Sequence, residues 1–262
     1  MLRTLVAIEV DLASSLAIRY ACQLGNLLPL ELQPVYVKFP SIDVPITGVG
    51  WVRHTWEREV VEAGKAEIQE MLSGEMETCP VMQEPRVIYG DREVELLNLV
   101  TREPFDLYIE GAPYPFVPAT LYKRLHAKFY QRLSCPLIWL RALRKIEQVL
   151  LVCADPAGTR ALAGVFQKVW PGTAVPLHLV APAAADEALR REVSQAREAL
   201  AATGCQVARK EDFPWEAGWP APEVTKEYGL VGVALEREVK KDSPQLQWLS
   251  QMKAPLLLAL YG

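Results

Sequence analysis

One strand-first, strand-last pattern occurs twice in the 262 residues of this chain. The first copy opens with Thr4-Leu-Val-Ala-Ile-Glu9 and closes with Ser134-Cys-Pro-Leu-Ile-Trp-Leu-Arg141. The second opens with Gln148-Val-Leu-Leu-Val-Cys153 and closes with Lys253-Ala-Pro-Leu-Leu-Leu-Ala-Leu260. Each copy is about 130 residues long, which is enough to bury a core of its own. The repeat therefore predicts two tandem α/β domains, over residues 1–144 and 145–262.

Within the first copy, apolar runs alternate with stripes of apolar residues at helical spacing. After Asp11, for example, Leu12, Leu16, Tyr20 and Leu24 recur every four residues on one helical face. The predicted strands cover residues 5–10, 32–37, 86–89, 105–109 and 136–140. The resulting order, β-α-β-α-β-α-β-α-β, predicts a doubly wound, five-stranded parallel sheet with helices on both faces.

Three boundaries within the first copy follow from turn and capping residues. The stretch Phe39–His54 is rich in Pro and Gly and predicts a long loop, after which Thr55 opens a helix. Gly90-Asp91 predicts a turn into a helix. Thr120 is predicted to cap a helix that runs on to Leu133.

The second copy follows the same order with a weaker signal. Asp155-Pro156 predicts an N-cap followed by proline at the first helical position, and Ser243-Pro244 opens the last helix. Between Asp212 and Glu223, three prolines and two tryptophans replace the turn and helix that follow Gly90 in the first copy. This part of the second copy has diverged furthest.

Charge and composition exclude several classes of function. A net charge of -4 offers no basic surface for many phosphates, so we expect no nucleic-acid partner. No apolar run reaches the roughly 18 residues of a membrane span, and the first residues do not resemble a signal peptide, so we expect a cytoplasmic protein without a membrane partner. The three histidines lie apart from other ligands, which argues against a metal site. We find no catalytic constellation.

The five cysteines are scattered and never spaced as C-x-x-C. Cys22, Cys135 and Cys153 lie within apolar helix or strand patterns, where a free thiol usually packs as a small hydrophobic side chain. We therefore expect core packing rather than a redox role.

Several residues together resemble the universal stress protein family, in a tandem form. They are the opening Leu5-Val-Ala-Ile-Glu9, the Gly90-Asp91 turn, the strand Asp106-Leu-Tyr-Ile-Glu-Gly111 and the closing Cys135-Pro-Leu-Ile-Trp-Leu. The resemblance covers residues 1–144 well and 145–262 faintly. It implies two universal-stress-protein-like domains of the adenine nucleotide alpha hydrolase-like type and a place in the stress response.

In ATP-binding members of that family, an Asp ends the first strand and the fourth strand leads into Gly-x2-Gly-x9-Gly-Ser/Thr, whose backbone holds the phosphates. Here the Asp position holds Glu9 and the first glycine is Gly111, but the second is Tyr114 and the final pair is Lys123-Arg124. In the second copy the Asp position falls on Ala154, the first glycine on Ala234 and the last pair on Asp242-Ser243. The resemblance therefore implies a degenerate nucleotide site in both copies.

The candidate cofactor-binding residues are Glu9, Gly111, Lys123 and Arg124. Lys123 and Arg124 are two cations at a predicted helix start, where they would hold an anion. A solvated first helical turn is the alternative for Lys123 and Arg124, and a strand-to-loop turn is the alternative for Gly111. We expect no catalytic residue and no cofactor. The alternative is that an altered site in the first copy binds ATP or another adenine nucleotide.

Two functions remain open at this stage. The first is a non-catalytic protein that acts by binding or assembly; the second is a nucleotide-binding switch or weak ATPase that uses the first copy only. Another ligand beneath the Phe39–His54 loop is a third possibility. Family members commonly pair through their last strands, so the resemblance predicts that residues 136–140 lie antiparallel to residues 255–260, as a pseudo-dimer within one chain, with a further homodimer possible.

Overall fold

A computed structural model describes residues 1–39, 51–79, 81–210 and 213–262 of the chain. In the first half, helices separate the strands of a sheet. The elements are β1 (Leu2–Ile8), α1 (Leu12–Gly25), β2 (Leu30–Lys38), α2 (Trp51–Thr78), β3 (Arg86–Tyr89), α3 (Arg92–Arg102), β4 (Leu107–Gly111), α4 (Pro118–Leu125), α5 (Lys128–Arg132) and β5 (Leu137–Leu140).

The second half repeats this plan with a short hairpin and a one-turn helix in place of the third helix. The elements are β6 (Val149–Val152), α6 (Pro156–Val169), β7 (Leu177–Val180), α7 (Glu187–Ala202), β8 (Val207–Arg209), β9 (Trp215–Glu216), β10 (Trp219–Pro220), α8 (Pro222–Thr225), β11 (Leu230–Glu236), α9 (Pro244–Gln251) and β12 (Leu256–Tyr261).

The described residues form one large mixed sheet with the strand order β3-β2-β1-β4-β5-β12-β11-β6-β7-β8. Neighbouring strands are parallel within each half. At the middle, β5 and β12 pair antiparallel, with Trp139 opposite Leu256 and Leu137 opposite Leu258. The two last strands of the repeat are therefore hydrogen-bonded neighbours.

Helices cover both faces of the sheet, as buried parallel strands require. One core contains Ile18 of α1 and Phe166 of α6, and the other contains Leu121 of α4 and Leu249 of α9. Each core thus includes residues from both halves of the chain. The α/β fold class predicted from the sequence is confirmed.

Polar contacts reinforce the seam between the halves. The guanidinium of Arg237, which follows β11, donates to the carbonyl oxygens of Tyr130 at 2.9 Å, Gln131 at 2.8 Å and Leu133 at 2.8 Å. These carbonyls lie at the C-terminal end of α5, where a cation is favourable. The Tyr20 hydroxyl of α1 donates to the Gly229 carbonyl at 2.8 Å.

The predicted caps of the second half are confirmed. The Asp155 carboxylate accepts from the Gly158 amide at 2.7 Å at the start of α6, with Pro156 as the first helical residue. Ser243 caps α9 by accepting from the Gln245 amide. In the diverged segment, Trp219 stacks on Trp248 with ring centroids 5.0 Å apart, so this tryptophan packs against α9.

Two helix predictions for the first half are wrong. Helix α2 begins at Trp51, so residues 51–54 belong to it, whereas residues 40–50 of the predicted loop lie outside the described residues. The helix predicted from Thr120 to Leu133 is two helices, since α4 starts at Pro118 and the extended backbone of Ala127 separates it from α5. Proline's fixed φ favours the first helical turn, which explains the earlier start.

The prediction for Cys22 is also wrong. Cys22 and Cys79 form a disulfide, with their Cα atoms 5.6 Å apart, although 57 positions separate them in the sequence. Folding of α2 alongside α1 brings them together, and no local pattern indicates that proximity. Cys135, Cys153 and Cys205 are free and buried, as core packing requires.

Candidate functional site

A fully buried acid lies at the carboxyl end of β4. The Glu110 side chain is 1% exposed, although β4 is otherwise a run of apolar and aromatic residues. One oxygen, Oε1, accepts from Trp139 Nε1 at 2.7 Å and from the Tyr130 hydroxyl. The other, Oε2, accepts from the Tyr108 hydroxyl at 2.9 Å. Three aromatic side chains thus supply donors to a carboxylate that water does not reach.

Two arginines complete the surroundings of Glu110. Arg92, the first residue of α3, lies 3.2 Å from Oε2, and Arg124 of α4 lies 3.1 Å from Oε1. Arg92 also contacts the Glu9 carboxylate at 2.9 Å, so it bridges an exposed acid and a buried one. The break between α4 and α5 allows Arg124 and Tyr130, one from each helix, to reach the same carboxylate. We call Glu9, Arg92, Glu110, Arg124 and Tyr130 the Glu110 cluster.

The ionised state of the Glu110 cluster is favoured by its own charges. Burial alone raises the pKa of the Glu110 carboxyl, but Arg124 and Arg92 and the tyrosine hydroxyls outweigh burial and hold that pKa below its usual value. Burial opposes the charge of Arg92, yet nearby acidic groups raise its pKa further. Two carboxylates and two guanidiniums balance, so the cluster is neutral as a whole.

Little space remains at this end of the sheet. The cavity lined by Ala7, Glu9, Asp11, Ser14, Arg92, Glu110, Gly111, Pro113 and Arg124 has a volume of about 50 Å³. Helix α1 also approaches closely, because a Cβ on Gly111 would lie 2.2 Å from the Ala13 carbonyl oxygen. Glycine at position 111 therefore permits the contact between β4 and the backbone of α1.

A larger open cleft lies on the outer side of the Glu110 cluster. Its volume is about 680 Å³, and it is lined by Glu93, Tyr114, Ala119, Thr120, Lys123, Arg124 and Ala127. The Arg124 guanidinium lies over the Tyr114 ring, 4.0 Å from its centroid, and separates this cleft from Glu110. Lys123 is exposed and has no ion pair among the described residues.

The structure places the four candidate residues in two locations. Glu9, Gly111 and Arg124 line the small cavity, whereas Lys123 lines the open cleft, which Arg124 also borders. The prediction that Lys123 and Arg124 begin a helix is wrong, because they lie in the last turn of α4. Cations are favourable at that end of a helix, so their position needs no ligand to explain it.

The sequence interpretation missed Arg92, Glu110 and Tyr130. One signal for Glu110 was available, since an acid within an apolar run of a parallel sheet is expected to be buried and paired. Its partners carried no such signal. Arg92 lies 18 positions away and Tyr130 lies 20 positions away, on separate helices.

The corresponding position of the second half is apolar. Glu110 pairs in register with Ala7 and Trp139, and Val233 of β11 pairs with Val152 and Leu258. Val233 is completely buried. The next residue, Ala234, uses its carbonyl oxygen to accept from Gln245 Nε2 at 2.8 Å. Val233 therefore brings no charge to the position that Glu110 occupies in the first half.

Residues 1–39, 51–79, 81–210 and 213–262 contain neither a metal-ligand cluster nor a membrane-spanning helix. No group of three or more His, Cys, Asp or Glu side chains there is placed to hold a metal ion. None of the helices described in those ranges is long and apolar enough to cross a membrane.

Comparisons with known proteins rest on structure alone, because no family model and no curated sequence matches the chain. The fold is similar to that of a universal stress protein from Archaeoglobus fulgidus DSM 4304, with a TM-score of 0.64 and 14% identity over 99% of this chain and 98% of that one. A functionally unknown protein from Pseudomonas aeruginosa PAO1 gives a TM-score of 0.57 at 14% identity, over 98% of this chain and 92% of that one. Since the first match spans both copies of the repeat, the chain has the fold of a universal stress protein along its whole length.

Proposed function

We propose that the chain is a tandem, universal-stress-like protein that acts by binding or assembly and not by catalysis. In this proposal residues 1–144 and 145–262 are the two domains, and neither binds ATP in the manner of the family. The Glu110 cluster is the observation that carries the proposal, because its side chains fill the carboxyl end of β1 and β4.

Volume is the first argument against a nucleotide beside Glu9 and Gly111. Ligand sites usually occupy about 300–1,000 Å³, whereas this cavity measures about 50 Å³. Entry of an adenine or a ribose would require Arg92 or Arg124 to leave Glu110. Either movement would leave a buried carboxylate with less compensation, which costs free energy.

Charge is the second argument. A phosphate gains most from cations that are not already paired, but Arg92 and Arg124 both contact Glu110, and Arg92 also contacts Glu9. The small cavity therefore lacks the net positive field that favours an anion. In the second half, the buried Val233 offers no charge at the position that matches Glu110, and the cleft beyond β11 combines Lys240 and Lys241 with the acids Glu236, Glu238 and Asp242, which oppose a phosphate.

Assembly is supported by the seam at the middle of the sheet. The antiparallel contact of β5 with β12, the shared cores and the three hydrogen bonds of Arg237 make the second half a built-in partner for the first. We infer that one chain imitates a dimer of single domains, in which β5 is no longer available to a second chain.

Nucleotide titration tests this function. Purified protein is titrated with ATP, ADP and AMP while the heat of binding and the combined fluorescence of the seven tryptophans are recorded. We expect no saturable binding tighter than a Kd of about 1 mM. Saturable binding below that value contradicts the proposal.

A second candidate function, a nucleotide-binding switch or weak ATPase, is favoured by the open cleft alone. That cleft is large enough for a nucleotide, and Lys123, which has no ion pair within the described part of the chain, lies at its wall beside Thr120. In this alternative, Lys123 contacts the phosphate. Arg124 forms the wall between the open cleft and the small cavity, which Glu9 and Gly111 line.

Lysine variants separate the two functions. If the cleft binds a nucleotide, Lys123→Ala weakens binding about tenfold or more, and Lys128→Ala, a change of an exposed lysine on the next helix, has little effect. Equal affinities of both variants and the unmodified protein reject the second function.

A further inference from the structure

Helix α2 is weakly attached to the sheet for its length. Among the described side chains of its 28 residues, only Ile68 and Leu72 are buried, together with Gly64. The neighbouring α1 has six buried residues in a helix of 14. Since burial of apolar side chains supplies most of the free energy that docks a helix, α2 is expected to undock more easily than α1.

An open cleft runs along one side of α2. Its volume is about 250 Å³, and it lies between the helix and the segment that enters β3, lined by Lys65, Ile68, Gln69, Met76, Glu84 and Pro85. Lys65, Gln69 and Met76 are exposed, so water reaches this side of the helix. The cleft therefore adds little apolar burial to the docking of α2.

Much of the remaining attachment of α2 is polar and near the surface. Glu67 accepts from Lys38 at 2.5 Å and from the Tyr36 hydroxyl at 3.1 Å, and Glu75 pairs with Arg19 at 2.6 Å. Exposed ion pairs contribute little to stability and weaken with salt. Trp56 adds one edge contact with Tyr89, at a centroid distance of 5.1 Å.

The Cys22–Cys79 disulfide lies where it can compensate for this weak docking. Cys22 is in the last turns of α1, and Cys79 directly follows the last residue of α2. The bond therefore fixes the C-terminal end of a weakly docked helix to a well-docked one. Cys79 is 3% exposed and Cys22 is partly exposed, so an attacking thiol reaches the Cys22 sulfur more readily.

We propose that Cys22–Cys79 is a thiol–disulfide exchange site that controls the docking of α2. With glutathione as the thiol, a glutathione thiolate attacks Sγ of Cys22, the bond to Sγ of Cys79 breaks, and Cys79 leaves as a thiolate that takes up a proton. A second glutathione thiolate then attacks the glutathione sulfur of this mixed disulfide and releases Cys22 as a thiol. Two glutathiones are oxidised to their disulfide, and the protein disulfide is reduced to two thiols.

Reduction removes the covalent link and leaves α2 held by two buried side chains, a glycine contact and surface ion pairs. The helix then opens from the face of β2 and β3, where Gly64 lies against Tyr36 and Val87. Reoxidation docks it again. The free cysteines take no part, because all three are buried away from an attacking thiol, and burial also raises the pKa of Cys135 and Cys153 to about 12.

Hydrogen exchange measured by mass spectrometry tests the proposal on the full chain, equilibrated with either reduced or oxidised glutathione. We expect peptides from α2 to exchange roughly tenfold faster or more in the reduced protein, while peptides from β1 and β4 exchange equally in both. Tryptic cleavage after the exposed Arg58 and Lys65 should accelerate in parallel. Equal exchange of α2 in the two buffers overturns the proposal.

Cysteine variants and thiol counting complete the test. The double variant Cys22→Ser/Cys79→Ser should show fast exchange in α2 in both buffers, and Cys205→Ser should respond to glutathione as the unmodified protein does. If the double variant fails to fold, the two buffers applied to the unmodified chain still decide. Detection of all five cysteines as free thiols after equilibration with oxidised glutathione also overturns the proposal.

Discussion

Glu110 of β4 and Val233 of β11 occupy equivalent places in the two halves but have different surroundings. Glu110 lies between Ala7 and Trp139, and Val233 lies between Val152 and Leu258. The first half places a buried carboxylate within a neutral set of charges, whereas the second places a buried valine in apolar packing. The same strand scaffold thus accepts either solution, provided that every buried charge has a partner.

The two arrangements are expected to lose stability differently when a residue is substituted. A buried ion cluster depends on each member, since loss of one charge leaves the others uncompensated. Apolar packing loses contacts in proportion to the atoms removed. We therefore expect substitutions in the Glu110 cluster to have the largest effects on stability.

Glu110→Gln should produce the largest effect. The change preserves shape but removes the buried charge that pairs with Arg92 and Arg124. Because both arginines are partly exposed, we expect a cost of about 3 kcal/mol, the low end of the range for breaking a fully buried ion pair. Urea unfolding followed by circular dichroism measures the loss of unfolding free energy. Glu9→Gln, at the exposed end of the same cluster, serves as the matched control and should have a much smaller effect.

The stability lost in Glu110→Gln should also depend on pH. Because the folded-state pKa of Glu110 is lowered, its carboxylate stabilises the protein fully above the unfolded pKa of about 4.3. That contribution disappears as pH falls through the lowered folded-state pKa. The difference in stability between the unmodified protein and Glu110→Gln should therefore be constant near neutral pH and shrink in acid; a constant difference throughout would contradict the assignment.

A double-mutant cycle of Glu110→Gln with Arg124→Met should show strong coupling. Once Glu110 is neutral, the partly buried charge of Arg124 has little compensation, so its removal should cost about 1–3 kcal/mol less than in the unmodified protein. Unfolding in urea supplies the four free energies. Combining Glu110→Gln with Arg160→Gln, an exposed arginine on α6, should give additive effects; additivity in both cycles would mean that the cluster does not act as a unit.

Arg237→Gln should test the seam between the halves. The substitution replaces a charged donor to three carbonyl oxygens with a neutral amide donor. Because Arg237 is partly exposed and Gln can still donate, the loss should correspond to roughly one charged hydrogen bond, about 2 kcal/mol of unfolding free energy. Differential scanning calorimetry measures it. If the halves unfold as one unit, a single transition should shift to lower temperature; an unchanged melting temperature would show that these bonds contribute nothing to the seam.

Substitution of the two N-cap residues should have the smallest effects on unfolding free energy, and the two halves should agree most closely here. Asp11 accepts from the Ser14 amide and Asp155 from the Gly158 amide, each at 2.7 Å, at the starts of α1 and α6. Replacing either with Ala should cost about 1 kcal/mol. Chemical denaturation should therefore give similar losses for Asp11→Ala and Asp155→Ala, while a large disparity would show that one cap has a further role.

Much of the fold could be predicted because its signals are local. Apolar runs, four-residue stripes and residue pairs such as Asp155-Pro156 depend on neighbours within one or two helical turns. The tandem order and the mixed α/β class followed from them. The exceptions have local causes too, since Pro118 starts α4 earlier than Thr120 would indicate.

Less of the candidate site could be predicted because its contacts are long-range. Glu9 and Gly111 were identified through the family resemblance, as the positions of its Asp and its first glycine, but nothing near Glu110 in the sequence indicates that Arg92 and Tyr130 meet it. Lys123 and Arg124 were assigned to one anion site. In the structure Lys123 lines only the open cleft, whereas Arg124 borders the cleft and also contacts the buried Glu110. Adjacent residues on a helix do not face the same way.

The sequence by itself determined the repeated order of strands and helices, because backbone propensity and hydrophobic period are properties of short segments. Only the tertiary structure decided which polar side chains meet: Glu110 with its two arginines, Arg237 with the end of α5, and Cys22 with Cys79. Those contacts depend on how the helices pack onto the sheet, and burial then makes each of them consequential by removing water as an alternative partner.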